Sequence, residues 1–290
     1  MLTLEQFEER KNYIGASEAA AAIGLSRWQT PLELWAAKTG QIELSQEETL
    51  PMWCGNELEE VVAKRFMLET GKKVRRDNST IYHKCYPFLA CHIDRKVEGE
   101  DTILQCKTAS AWKEKEWDGE EIPHEYIIQE YHELACTGYK KAIIACLIGN
   151  HKFVIKEIYR DDKILNDLVT KEVHFWKEFV EKKIMPGVLS SDNEILGRLF
   201  PQAHEGQVIQ LSDIATRLCE NLEALNQDKF VTEKLIEKAR NELKAMIKDN
   251  EIGQTGTYQI KWCNVHKDEY IVKAQDYRSL RIKKLKEEGK

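Results

Sequence analysis

Residues 141–148 constrain the fold most, because their sequence, KAIIACLI, is a short apolar run typical of a strand buried on both faces. A helix precedes this run, with Pro123 at its first turn and Gly138 at its end. A Gly-Asn turn then leads into residues 152–159, whose alternation indicates a strand with one exposed face. A strand buried on both faces needs a covering layer on each side. We therefore expect an α/β fold in which a mixed sheet is flanked by helices.

The rest of the N-terminal two thirds of the chain indicates further elements of the same domain. Residues 13–40 predict two short helices, with Ser17 as a cap of the first, and residues 56–69 predict a longer helix. Three strand-like segments and a closing helix complete the pattern, at residues 79–83, 88–95, 102–107 and 164–183.

Turn-forming residues after Pro186 predict a change of architecture. Beyond it, helical spacing of apolar residues predicts a packing arm, interrupted by a break at Asn226-Gln227-Asp228, and then a hairpin from residues 257–264 and 269–273. The predicted organisation is a core over residues 1–188, a linker over 189–206, a helical arm over 207–252, and a C-terminal hairpin with a basic tail over 253–290.

Charge and hydropathy exclude some classes of protein. A formal net charge of −6 argues against a protein that coats nucleic acid through bulk charge. Basic residues outnumber acidic ones only from Gln254 onward, where they either face phosphates or form a solvated tail. No apolar run approaches the roughly 20 residues that span a bilayer, and the N-terminal sequence lacks a secretory signal. We expect a cytoplasmic protein without membrane contact.

The cysteines argue against a thiolate metal centre. The chain has 8 cysteines, scattered and without a Cys-x-x-Cys pair. A zinc ribbon or an iron–sulfur cluster needs clustered thiolates. Several of the cysteines have apolar neighbours, where cysteine behaves as a small hydrophobe, and free thiols suit a reducing compartment.

One hairpin carries the residues most suggestive of chemistry. On a strand, Gln105 and Lys107 point to one face, while Leu104 and Cys106 point to the other. A neighbouring strand that ends at Asp94 would place a carboxylate beside them. With Glu at position 105, this would be two carboxylates for a divalent cation and an ammonium beside the attacking water. An Asp before a D/E-x-K segment also occurs in hairpins with a solvated edge, so this spacing alone leaves both readings open.

Four sequence blocks occur in an informative order: IGASEA with GLSRWQTP and LW at residues 14–35, WCGNELE at 53–59, ID with LQCKTA at 93–109, and QEYH with TGY and ACLIG at 129–149. In these blocks the chain resembles the YqaJ-type viral recombinase family, relatives of phage lambda exonuclease among the PD-(D/E)xK nucleases. The resemblance covers about residues 5–185, and the C-terminal arm also looks like that of YqaJ members. It implies a restriction-endonuclease-like core with a helical arm and a small β-hairpin.

The resemblance implies a role for each matching residue. Asp94 matches the metal-binding aspartate, Lys107 the catalytic lysine, and Gln105 stands where the family has its metal-binding glutamate. The other matches are a carbonyl ligand from Cys106, an acidic residue reaching towards the metal (Glu59), a glutamine beside the active site (Gln129), and a pocket for the 5′ phosphate from Arg10 and Ser17 with a basic contact from Lys113.

Plainer roles stay open for several of these residues. Glu59 is otherwise an exposed helix carboxylate, Gln129 a helix-surface amide, and Ser17 a helix cap. His132 is expected to be a packed histidine and not a ligand, and His92 has no assigned role.

The activity that the resemblance implies is Mg²⁺-dependent (or Mn²⁺-dependent) 5′→3′ digestion of double-stranded DNA ends in a phage or prophage recombination system. The product would be a 3′ single-stranded tail for a RecT-type or Red-beta-type annealing protein. A homo-oligomer is also implied, since lambda exonuclease is a ring-shaped trimer around DNA.

Gln105 is the departure that matters. An amide matches glutamate in shape but brings no negative charge to a cation, so we expect weakened metal binding and impaired cleavage, with folding and DNA binding retained. The change is either engineered or natural. The alternative function is a non-catalytic DNA-end-binding protein with a decayed nuclease site. A Cas4-like or RecB-like nuclease shares the core, but the dispersed cysteines and the chain length speak against it.

Overall fold

The computed structural model describes residues 9–42 and 49–267, together with residues 280 and 282. The chain divides into two compact units, Met1–Phe200 and Pro201–Lys290. None of the described helices has the length and apolar composition needed to cross a membrane.

The first unit is built on a 5-stranded sheet with the order β2-β5-β6-β7-β8. Strands β6 and β7 are parallel, and every other neighbouring pair is antiparallel. The predicted bounds of β7 and β8 are confirmed residue for residue, because their hydropathy patterns are long and unambiguous. The strands are β2 (Val74–Arg76), β5 (Arg95–Val97), β6 (Thr102–Ala109), β7 (Lys141–Ile148) and β8 (Lys152–Tyr159).

Helices cover both faces of this sheet, so the predicted mixed sheet flanked by helices is confirmed. On one face Leu104 of β6 packs with Val62 and Phe66. On the other face Ile103 belongs to the main core together with Leu134. The helices of this unit are α1 (Ala19–Ala22), α2 (Pro31–Lys38), α3 (Leu50–Thr70), α4 (His124–Thr137), α5 (Asp162–Phe175) and α6 (Asn193–Leu199).

Helix boundaries follow local chemistry. Helix α3 begins about two turns before the predicted start, because Pro51 fits its first turn, and ends where Gly71 takes a left-handed φ of 70°. Helix α4 ends at Gly138, whose φ of 71° is also left-handed. A π-helical turn, Trp176–Val180, follows α5 within the predicted closing helix.

A second sheet of 3 strands has the order β1-β4-β3. Its strands are β1 (Ile14–Gly15), β3 (Ile81–Tyr82) and β4 (Leu89–Cys91). The prediction of one strand over residues 88–95 is wrong, since the chain leaves this sheet after Cys91 and enters the larger sheet at Arg95. The three residues of the crossing, 92–94, therefore lie between the two sheets.

The second unit contains α7 (Asp213–Ile247) and a hairpin of β9 (Ile252–Gln254) and β10 (Gln259–Lys261). The predicted break at residues 226–228 is wrong: the helix continues, because Asn, Gln and Asp each cost well under 1 kcal/mol in a helix interior. The hairpin forms earlier than predicted, around a turn at residues 255–258. Residues 269–273 lie outside the described residues, as does most of the basic tail. The segment predicted as a linker contains α6, where Ile195 is buried.

Candidate active site

The hairpin of β5 and β6 brings Asp94 and Gln105 together. Arg95 of β5 is the antiparallel partner of Leu104 of β6, so Asp94 comes opposite Gln105. The Asp94 carboxylate oxygen Oδ2 accepts a hydrogen bond of 2.8 Å from the backbone N–H of Cys106. This bond fixes the carboxylate against β6, the strand that also carries Lys107.

Burial sets the electrostatics of Asp94. Burial raises the pKa of its carboxyl to about 6, although the Lys107 ammonium and the Cys106 N–H lower it. The Glu59 carboxylate also contributes to this raised pKa. A buried carboxylate of this kind gains most from a positive charge beside it.

Gln105 lies on the α4 side of β6 and is only 5% exposed. Its side-chain carbonyl oxygen is buried and has no hydrogen-bond partner among the described residues. Leaving such an acceptor unpaired costs about 1–3 kcal/mol. A divalent cation, which prefers oxygen ligands, would satisfy this atom.

Lys107 is held from two sides. Its Nζ donates to Oε1 of Gln129 over 2.9 Å, and it lies 5.0 Å from the centroid of the Tyr126 ring. The amide Nε2 of Gln129 donates in turn to Glu133 over 2.9 Å. Because Glu133 accepts from the NH₂ group of Gln129, the side-chain carbonyl of Gln129 is turned towards Lys107. Gln129 is buried, so its interpretation as a helix-surface amide is wrong.

Helix α4 adds two acidic residues that the sequence analysis missed. Glu130 and Glu133 are fully buried, and both oxygens of Glu130 and one of Glu133 have no hydrogen-bond partner in the described part of the chain. Burial raises the pKa of Glu133 to about 8, and burial with the Glu133 charge raises that of Glu130. The charges of Asp94 and Lys107 also act on both carboxyls. The sequence signal was available: two Glu residues lie on the apolar face of this helix, and glutamate is almost never fully buried unless it is paired.

The remaining predicted metal ligands are placed differently. The Glu59 carboxylate of α3 forms ion pairs with Arg95 and Arg76. Its charge reaches Asp94, but its oxygen Oε1 already accepts from a guanidinium. Cys106 is half-buried, and burial raises the pKa of its thiol, so the thiol stays neutral. Its backbone carbonyl as a ligand remains a prediction.

The donor set fits a divalent cation in chemistry but is short of charge. Asp94 and the unpaired oxygen of Gln105 are the hard oxygen donors that Mg²⁺ prefers. In the described residues, no group of three or more His, Cys, Asp or Glu side chains is arranged to hold a metal. The amide of Gln105 offers an oxygen but brings no negative charge to this set.

Arg10 and Ser17 lie together, as predicted for a phosphate pocket. Arg10 donates from Nη2 to the Ser17 hydroxyl over 3.3 Å, and it pairs with the Glu18 carboxylate at 3.7 Å. Ser17 lies inside a 3-10 turn, Ala16–Glu18, whose cap position is Gly15, so the interpretation of Ser17 as a helix cap is wrong. The buried amine of Lys38 pairs with Glu18 over 2.7 Å and so offsets its charge.

His92 stands two residues before Asp94 in the chain. Burial lowers the pKa of His92, and the Arg10 charge lowers it as well. His92 itself bonds to the Thr80 hydroxyl at 2.9 Å. Lys113 lies elsewhere, on the 3-10 helix Ala111–Trp117 that follows β6, where its charge acts on Glu116.

His132 is a packed histidine, as predicted. It is completely buried, with Nδ1 at 2.7 Å from the Glu172 carboxylate and Nε2 at 3.1 Å from the Ala90 carbonyl. Its two ring nitrogens are thereby engaged within the core.

Solved structures define the class of the fold. An alkaline exonuclease from Laribacter hongkongensis, LHK-Exo, superposes with a TM-score of 0.54 over 63% of this chain and 94% of that chain, at 23% identity. LHK-Exo in complex with dAMP superposes with a TM-score of 0.55 over 68% of this chain and 97% of that chain, also at 23% identity. The described core therefore has the fold of an alkaline exonuclease.

Sequence relatives define the family. Residues 6–140 match the YqaJ-like viral recombinase domain. The uncharacterized protein YqaJ of Bacillus subtilis (strain 168) is 38% identical over 264 residues, which are 88% of this chain and 81% of the relative. This chain belongs to the YqaJ-like viral recombinase family, which confirms the resemblance seen in the sequence blocks.

Proposed function

We propose that this protein is a metal-dependent exonuclease that digests double-stranded DNA from its ends within a phage-type recombination system. The observation that carries the proposal is the convergence of Asp94, Gln105 and Lys107 on one hairpin, inside a fold shared with an alkaline exonuclease. The relative LHK-Exo has been solved with dAMP, and a deoxynucleoside monophosphate is the class of product that shortening of a DNA strand releases.

Each residue has a physical role in this proposal. Asp94 and the side-chain oxygen at position 105 would hold Mg²⁺ or Mn²⁺, helped by the Cys106 carbonyl and by Glu59. A bound divalent cation supplies a Lewis acid for the charge on the phosphate. Lys107, oriented by Gln129, donates hydrogen bonds to the attacking water and to the developing negative charge.

Arg10 and Ser17 would bind the 5′ phosphate of the digested strand. A guanidinium suits a phosphate because its planar set of donors forms paired charge-assisted bonds. The side chain of Arg10 is 28% exposed and is already aligned by Ser17. Recognition of this end gives 5′→3′ polarity and leaves a 3′ tail for a RecT-type or Red-beta-type annealing protein. A homo-oligomeric ring would keep an acidic protein on its DNA through topology.

Gln105 favours a second candidate, a DNA-end-binding protein without cleavage. The two functions are distinguished by measuring how fast the parent chain and its Gln105→Glu variant degrade a 5′-phosphorylated duplex in the presence of Mg²⁺. We expect degradation by the variant to exceed that by the parent by orders of magnitude, with equal DNA affinity. The double variant Gln105→Glu/Asp94→Asn is the control and should be inactive. Equal degradation by parent and variant would contradict the assignment of position 105, and binding without degradation in both would leave the non-catalytic function.

A further inference from the structure

An exposed aromatic ring lies beside the candidate active site. Trp28, in the segment between α1 and α2, is 56% exposed. Its ring centroid lies 6.0 Å from that of Tyr126, and Tyr126 is the ring that lies 5.0 Å from the amine of Lys107. A single half-buried ring therefore separates the exposed indole from the amine of the site.

The backbone around Trp28 is held in place. The Ser26 hydroxyl accepts hydrogen bonds from the backbone N–H groups of Trp28 (3.1 Å) and Gln29 (3.2 Å). The Arg27 guanidinium binds Glu125 at 2.6 Å and Glu116 at 3.1 Å, which ties this segment to α4 and to the helix after β6. An exposed apolar ring that is fixed in position loses little entropy when a ligand stacks on it.

The charges around Trp28 favour a base over a phosphate. Hydrogen bonds from Arg27 lower the pKa of Glu116, and although burial raises the pKa of Glu125, Arg27 leaves it lowered as well. Both carboxyls are therefore charged at neutral pH, and together they offset Arg27 and Lys113, whose charge also acts on Glu116. No excess of positive charge is left there for a phosphate, while the indole offers an apolar, polarisable surface.

We propose that Trp28 forms a nucleobase-binding subsite, on which a base of the digested strand stacks close to the scissile phosphate. The proposal rests on the proposed function, because Lys107 marks where the phosphate would react. The Lys107 amine lies 5.0 Å from the centroid of the Tyr126 ring, which lies 6.0 Å from that of the Trp28 ring. Together these two distances correspond to a few nucleotides of B-DNA, whose rise is about 3.4 Å per nucleotide.

Stacking is a suitable interaction for a nuclease without sequence preference. Every base has an aromatic face, so a tryptophan accepts all four bases with similar strength. Trp28 would act as a positioning residue: it holds the end of the strand so that the next phosphodiester bond is aligned with Asp94 and Lys107.

The test uses the full chain and DNA ends that carry 2-aminopurine, a fluorescent base, at each of the first four nucleotides from the 5′ phosphate. Stacking on the indole quenches this base. We expect the parent to quench it at one position, Trp28→Phe to retain most of the effect, and Trp28→Ala to lose it. Affinity for the end should fall about 5- to 150-fold in Trp28→Ala, the range of one stacked base.

An abasic end makes the test specific for a base. When the base is removed at the quenched position, parent and Trp28→Ala should bind with equal affinity. Tyr159→Ala is the matched control. Like Trp28, whose ring centroid lies 5.5 Å from the Arg27 guanidinium, Tyr159 is exposed and lies beside a basic side chain (Lys141, Nζ 5.8 Å from the ring centroid), but at the opposite end of β6 and β7. This variant should bind as the parent does.

The outcomes separate the two proposals. If the parent binds DNA ends and Trp28→Ala binds and quenches equally well, the subsite is wrong while the proposed function stands. If Trp28→Ala loses the same affinity on intact and abasic ends, the ring contacts something other than a base and the subsite is again wrong. If neither the parent nor Gln105→Glu binds DNA, the proposed function fails and the subsite fails with it.

Discussion

The amine of Lys107 donates a hydrogen bond to the side-chain carbonyl of Gln129 over 2.9 Å. This contact joins the middle strand of the sheet to the helix that covers it, and Glu133 fixes the direction of the amide from the other side. Lys107 is thus positioned by a residue on a different element, and the contact can be removed without changing the charge of the site.

Gln129→Leu should impair cleavage through the position of Lys107. In the active Gln105→Glu background we expect a loss on the order of 10² in the rate constant of single-turnover digestion, because misplacing a catalytic group by about 1 Å costs that much. DNA affinity should be unchanged. The exposed Gln202→Leu is the control. A rate equal to that of the background would show that Lys107 needs no support from Gln129.

Metal binding should become visible in stability when Gln105 is replaced by Glu. Without metal, the variant adds a buried carboxylate beside Asp94, so we expect a lower Tm than that of the parent. With Mg²⁺ the difference should shrink or reverse, since a ligand stabilises the folded state in proportion to RT ln(1 + [L]/Kd). Thermal denaturation with and without about 10 mM Mg²⁺ measures both effects. A Tm shift by Mg²⁺ that is the same in parent and variant would contradict a cation at position 105.

The pH dependence of stability should reflect Glu133. Its folded-state pKa of about 8 lies above the ordinary value near 4.5, because burial favours the protonated form. The contribution of Glu133 to the free energy of unfolding is therefore greatest below about pH 4.5. It is lost as the pH rises towards 8, at about 1.36 kcal/mol per pH unit. Glu133→Gln, which cannot ionise, should reduce the fall in the free energy of unfolding between pH 5 and 8.

Urea denaturation at several pH values measures this dependence, with Glu120→Gln as a control for an exposed carboxyl. Parallel pH profiles for the parent and Glu133→Gln would show that Glu133 is ionised in the folded protein at pH 5.

Arg10→Ala should remove the preference for a phosphorylated 5′ end. A hydrogen bond to a charged group contributes about 1.5–3 kcal/mol, so binding of the phosphorylated end should weaken about tenfold or more, while binding of a 5′-hydroxyl end changes little. Lys171→Ala, which removes one positive charge from an exposed face of α5, is the control. Competition binding with the two kinds of end decides the outcome, and an equal loss on both ends would reduce Arg10 to a general electrostatic contact.

Local patterns in the sequence predicted much of the core. The apolar run of β7 and the alternation of β8 predicted the first and last residue of each strand, and Pro123 and Gly138 marked the ends of α4. The proximity of Asp94 to Gln105 was also predictable, because a short hairpin allows few registers.

Features that depend on distant partners were not predictable in this way. The crossing at residues 92–94 is decided by the strands that flank β4 and β5, which come from other parts of the chain. Glu130 and Glu133 were overlooked because helical spacing identifies a buried face by its apolar residues and passes over the charged ones. The pairing of Glu59 with Arg95 likewise depends on how α3 lies across β5.

The parallel pairing of β6 with β7 also affects when the candidate site can arise during synthesis. Strand β6 emerges from the ribosome well before β7, because a parallel partner is reached only after the whole of α4. Contacts between segments so far apart in the chain form slowly. A nascent chain that ends before His124 therefore has Asp94, Gln105 and Lys107 without the helix and the strand that hold them, and competence to process DNA should arise only once the core has closed.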